Sequence, residues 1–168
     1  AAERLSQRLS GVAGAVARSV EPQIREETIQ AALEDVEKGN IDSDRVAMVA
    51  RDVYRKTANS ALIADVEVSG NNVAKQIENQ QRTAGTYDVN VFTKSWNAYT
   101  KSTVAGIQDL AIKQNVSNKL AKIGSQYSGA ISTLQVKQQK DIQAGNFKAK
   151  LAMDIESLNS AFGVNSLL

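Results

Sequence analysis

The chain contains no cysteine and no histidine, and these two absences exclude several kinds of chemistry at once. Without thiolate or imidazole groups there is no disulfide framework, no ordinary zinc site and no serine–histidine or cysteine–histidine nucleophile. We therefore predict no catalytic residue, no metal ligand and no cofactor. A chain of this composition is expected to act through assembly and not as an enzyme.

Proline, aromatic residues and long apolar runs are also scarce. Pro22 is the only proline, and aromatic residues make up 5% of the 168 residues. Because a proline inside a helix costs about 3 kcal/mol, its near absence favours long helices. No apolar run approaches the roughly 20 residues of a membrane-spanning helix. The scarcity of large apolar side chains favours an elongated bundle whose core is completed by neighbouring chains.

The net charge and the N-terminal residues say little about function. The formal net charge of +2 is too small to indicate a nucleic-acid-binding surface by itself. The chain begins Ala-Ala-Glu, which is consistent with a processed product or a piece of a longer protein. Residues 9–17 are small and apolar between Arg8 and Arg18. We interpret them as a helix-packing segment, with membrane contact and the remnant of a signal sequence as the alternatives.

Caps and breaks divide the chain into an N-terminal region, 1–84, and a C-terminal region, 85–168. Proline suits the first turn of a helix, glycine suits its left-handed end, and aspartate suits its N-cap. We expect helices to break near 21–22 and 39–43 and in the loop Gly85-Thr86-Tyr87-Asp88. The N-terminal helices are predicted over about 3–20, from Pro22 to Gly39, and from Val46 to Thr83 with Gly70 either inside the last helix or breaking it.

Three aromatic residues open the C-terminal region. Phe92, Trp96 and Tyr99 lie at i, i+4 and i+7, so they project from one side of a helix. The favoured interpretation is a local core anchor. Stacking on nucleic acid requires a basic groove, and Lys94 and Lys101 are too few to form one.

A narrow apolar stripe follows among Gln, Lys, Asn, Ser and Ala residues. Its members recur at steps of three, four or six, as in a long amphipathic helix: Ile107, Leu110, Val116, Leu120, Ile123, Tyr127, Ile131 and Leu134. This helix is expected either to continue the aromatic helix or to start after a break near Gly106. Gly124 and Gly129 are predicted to mark close backbone contacts, and Gly145 a bend.

Together these patterns predict an all-α, elongated bundle of long helices, coiled-coil-like and completed by oligomerisation. The stripe is narrow enough that another helix must cover it. The residues predicted to be buried at contacts within or between chains are Val46, Val49, Val53, Phe92, Trp96, Tyr99, Leu120, Ile123, Tyr127, Ile131 and Leu134.

The segment Val89–Lys101 is similar to a recurring segment of the internal virion, or ejection, proteins of short-tailed bacteriophages, where a Phe-x3-Trp-x2-Tyr element separates two long helices. Asp52-Val53-Tyr54-Arg55 resembles the upstream part of the same arrangement, and the resemblance extends over about 44–140. It implies a structural protein stored in the capsid or tail and delivered to the host envelope. It also implies a homo-oligomeric ring or tube that serves as a conduit for the genome.

The resemblance further implies particular partners. These are the portal protein, other internal virion proteins, the host envelope and DNA that passes without tight binding. The Gln- and Lys-rich surface of 135–150 suits either plain solvation or such a water-filled passage.

Two other classes stay open. One is a cellular helical adaptor or secretion-associated coiled coil. The other is a wall-degrading enzyme fragment, because Glu156-Ser157 resembles the Glu-Ser pair of lytic transglycosylases. The downstream glycan-binding Gly and Gln residues of those enzymes are absent from the sequence, which favours a chance match.

Overall fold

The computed structural model describes residues 20–165, with side chains described as far as residue 161. Four α-helices form most of this range: α1 Pro22–Lys38, α2 Arg51–Ala84, α3 Val89–Val104 and α4 Leu110–Asn165. Two 3-10 turns, Ser43–Arg45 and Met48–Ala50, connect α1 to α2. The prediction of an all-α fold is confirmed over this range. The helix predicted over residues 3–20 lies outside it.

The ends of α1 follow from its sequence. Pro22 occupies the first turn, where its missing N–H is not needed. Gly39 ends the helix in the left-handed conformation at φ 68°. The N–H of Asn40 then donates to the Asp35 carbonyl at 3.0 Å, which satisfies one of the last carbonyls of the helix. Both predicted ends of this helix are confirmed.

Helix α2 begins later than the sequence predicted. Residues 46–50 form a turn and not the first helical turns, and Asp42 caps a 3-10 turn by accepting from the Asp44 N–H at 2.9 Å. Gly70 lies inside the continuous helix. A Cβ on Gly70 would lie 3.2 Å from Cδ1 of Ile123, so the missing side chain lets α4 approach closely. This packing offsets the cost of about 1 kcal/mol for a helical glycine.

The core runs along the contact between α2 and α4, with α1 against α2 and α3 against α4. The largest fully buried side chains are Tyr54, Phe92, Ile41, Ile112, Leu120, Ile131, Val66 and Val116. Leu120 and Ile131 are each 0% exposed in the single chain. The prediction that neighbouring chains cover this part of the stripe is therefore wrong, because α2 and α3 of the same chain cover it.

A short connection separates α3 from α4, so the alternative with a break near Gly106 is the correct one. Ile107 lies in this connection and is buried, and its backbone pairs with Ile41 in an isolated parallel bridge. Leu110 is the first residue of α4 and is 80% exposed, so it does not belong to the packed stripe. Helix α4 then continues through Gly145, which does not interrupt it.

Candidate assembly surface

The aromatic residues of α3 form a stacked group on α4. The Phe92 and Trp96 rings are nearly parallel, with centroids 6.0 Å apart, and Phe92 also stacks on Tyr127 at 6.5 Å. Trp96 meets Tyr99 at 5.3 Å in a tilted arrangement. Phe92 and Trp96 are buried. The group fixes the position of α3 on α4.

Trp96 lies directly over Gly124. A Cβ on Gly124 would overlap Nε1 and Cδ1 of the indole, so only glycine fits beneath this ring. Gly129, one and a half turns further along the same helix, has no atom within 4 Å of its Cβ position. The close contact predicted from the sequence is present at Gly124 and absent at Gly129.

The other predicted packing residues differ in burial. Val53, Leu120, Ile123 and Ile131 are buried. Val46, Tyr99 and Tyr127 are half-buried and pack against the core. Leu134 is also half-buried. Val49 lies in the second 3-10 turn and is 55% exposed, so it is not brought together with the others.

Two buried aspartates tie the ends of the helices together, and the sequence analysis missed both. Asp35 of α1 accepts from Tyr54 Oη at 2.8 Å and from Arg45 at 2.5 Å. Burial and, after it, the hydrogen bond to Asp35 raise the pKa of the Tyr54 hydroxyl. Spacing gave no signal for Asp35, because an aspartate in a helix usually faces water.

Asp109 is the second of these aspartates, and its side chain is 2% exposed. It accepts from Ser43 Oγ and Arg55 Nε, each at 2.6 Å, and caps α4 by accepting from the Ile112 N–H at 3.2 Å. Burial alone would raise the pKa of this carboxyl, but the hydrogen bonds outweigh it and the pKa is lowered. Because aspartate is a favoured N-cap residue and Asp109 directly precedes Leu110, its capping role could have been predicted from the sequence.

Three glutamines hold the loop between α2 and α3. Gln81 donates to the Asp88 carbonyl at 3.0 Å and accepts from the Asp88 N–H at 2.9 Å. Gln135 accepts from the Val89 N–H at 3.1 Å, and Gln138 accepts from the Tyr87 N–H at 3.0 Å. The first glutamines of the Gln-rich surface therefore hold this loop in place. Neither of the two interpretations from the sequence, plain solvation or a water-filled passage, included this role.

Beyond Gln138, helix α4 leaves the bundle. Every residue from 139 to 161 is exposed. We call residues 139–165 the arm, and at 1.5 Å per residue it projects by roughly 40 Å. Glu156, the residue considered for wall hydrolysis, lies on this exposed helix.

The arm carries large apolar side chains in water. Phe147 is 69% exposed, Leu151 49%, Ile155 50% and Leu158 57%. Their spacing of four, four and three places them on one helix face, and we call these four residues the arm stripe. These four residues were not among the predicted packing residues, although their spacing is visible in the sequence. A contiguous exposed apolar stripe makes the arm a candidate interaction surface.

The arm stripe does not continue the seam that packs in the bundle. Heptad steps from the buried Ile131 reach Gln138, Gly145 and Ala152, which offer little apolar area. On a helix of 3.6 residues per turn, the arm stripe is rotated by roughly a third of a turn from this seam. The arm therefore presents a separate apolar face, turned away from the packed seam of the bundle.

Other kinds of site have weaker support. A shallow groove of about 250 Å³ between α3 and α4 is lined by Thr93, Asn97, Ser117 and Ser125 beside the aromatic group. Over residues 20–165 no cluster of acidic side chains could hold a metal ion. None of the four helices is apolar over a length that would cross a membrane.

Comparison with known proteins adds no relative. No family model, no curated protein and no solved structure matches this chain. The class is thus defined by the fold alone: an all-α bundle from which one long helix projects.

Proposed function

We propose that this chain is a non-enzymatic structural subunit that works in several copies, with the arm as its assembly element. The observation that supports this is the arm stripe, which stays exposed among the residues that the structure describes. Four large apolar side chains exposed on one helix face are unfavourable in water unless another surface covers them. Full burial of such a side chain is worth roughly 1.5–3 kcal/mol, and because these four are about half exposed, about half of that gain remains for each. Among residues 20–165 the bundle covers its own core, and the arm carries the exposed apolar stripe that we assign to another molecule.

We further propose that the subunit is an internal, or ejection, protein of a tailed-phage virion, forming part of a conduit for the genome. The support is the sequence resemblance around Phe92, Trp96 and Tyr99, together with a shape suited to long-helix assembly. In this function the bundle is the rigid body of the subunit and the arm links copies.

The native mass of the full chain tests this proposal. We expect an assembly larger than a dimer in native mass spectrometry or light scattering, and rings or tubes in negative-stain images. A dimer as the largest species contradicts the conduit and favours the alternative, a cellular helical adaptor. A monomer at every concentration overturns the multi-copy proposal.

A further inference from the structure

We propose that the arm binds the arm of a second copy of this chain in antiparallel orientation, with the pair centred on Ala152. The inference rests on the proposed function, because it names one contact through which copies join. It also makes this contact two-fold symmetric, so that a larger ring or tube requires a second, different interface between pairs.

Packing of the arm stripe supports this register. When two arms run in opposite directions about Ala152, each Leu151 lies between Leu151 and Ile155 of the other copy. Each Ile155 lies between Phe147 and Leu151 of the other copy. The apolar side chains thus interlock as knobs into holes over the length of the stripe.

Charge supports the same orientation. Lys150 and Asp154 lie on one flank of the arm stripe and are placed symmetrically about Ala152. In the antiparallel pair, Lys150 of each copy faces Asp154 of the other, so the attraction occurs twice. In a parallel pair the flanks that carry Lys150 and Asp154 lie on opposite sides of the contact, so neither attraction forms.

The size of the contact sets its strength. Stable protein interfaces bury about 1,200–2,000 Å² in total, and two short stripes of four side chains fall at or below the lower limit. We therefore expect reversible association of two free arms, strengthened where several copies are held together. The arm is already helical and lies outside the bundle, so two arms can pair without refolding of the bundle.

Sedimentation equilibrium of the full chain over a range of concentrations measures this pairing. We expect Leu151→Glu to weaken association by at least tenfold, since it places a charge at the centre of the stripe. Met153→Glu is the matched control: Met153 is 67% exposed on the arm but lies off the stripe, so association should change little. Circular dichroism verifies that both variants stay helical.

A charge exchange then tests the orientation. Lys150→Glu should weaken association roughly tenfold, because two attractions become two repulsions. Adding Asp154→Lys to that variant should restore it. If Lys150→Glu has no effect or strengthens association, or if the double exchange fails to restore it, the antiparallel register is overturned.

The outcomes separate this inference from the proposed function. Association that survives Leu151→Glu overturns the arm contact while leaving the multi-copy subunit in place. A full chain that never associates overturns both.

Discussion

Gly124 and Gly129 provide a matched test of how α3 is seated on α4. Both lie inside the same helix, so replacing either by alanine should gain about 1 kcal/mol from helix propensity. Their surroundings differ. Gly124 is buried beneath Trp96, whereas the Cβ position of Gly129 is open. The difference in stability between the two variants therefore isolates the cost of the contact with the indole.

The structure sets the size of that cost. The added methyl at Gly124 would meet the rigid indole and not the end of a flexible chain, and Trp96 is held by stacking on Phe92. Overpacking of this kind costs about 1–3 kcal/mol. We expect Gly129→Ala to be stabilised by about 1 kcal/mol. Gly124→Ala should be less stable than Gly129→Ala by the full overpacking cost of about 1–3 kcal/mol.

Thermal unfolding followed by circular dichroism measures the difference. In a chain of this length, 1 kcal/mol corresponds to a shift of roughly 2–4 °C in Tm. All variants should be compared at one low concentration, because self-association raises the apparent Tm. In a Trp96→Phe background the smaller ring should reduce the cost of Gly124→Ala. If Gly124→Ala is as stable as Gly129→Ala, the described seating of Trp96 is wrong.

Three further predictions concern the polar contacts. Asp109→Asn should lower the free energy of unfolding by about 1–3 kcal/mol in chemical denaturation. Asp52→Asn, which breaks an exposed ion pair and removes an acidic group from the first turn of α2, should cost under about 1 kcal/mol, and equal costs would contradict the buried role. Gln138→Ala should cost about 1 kcal/mol and speed amide exchange in the loop it holds, whereas the exposed Gln139→Ala should leave both unchanged. The raised pKa of Tyr54 means that its contribution is intact below its unfolded pKa of about 10 and is lost as pH rises above it. Tyr54→Phe should therefore flatten the alkaline loss of stability in a pH series of urea melts, and an unchanged slope would contradict this.

The burial pattern also changes how assembly is understood. The sequence suggested that the stripe around Leu120 and Ile131 waits for neighbouring chains. In the structure α2 and α3 cover that stripe, and an exposed apolar stripe lies further along the helix, from Phe147 to Leu158. A narrow stripe predicts that a partner helix exists. It does not predict whether that helix belongs to the same chain.

The sequence by itself determined the features that depend on short-range interactions, above all the ends of the helices. Pro22, Gly39, Gly85 and Asp88 act through their own backbone or through neighbours a few residues away, so the ends of the helices could be predicted from them. The all-α class followed equally from periodicity and from the lack of proline.

Tertiary structure decided the rest, because it depends on residues far apart in the chain. Gly70 stays helical since it makes room for Ile123, and Gly124 matters where Gly129 does not because only Gly124 lies under Trp96. Asp109 forms its buried ion pair only because the fold brings Arg55, 54 positions earlier in the chain, beside it. The sequence shows which residues are apolar or charged; the three-dimensional packing determines which of them are covered and which remain exposed.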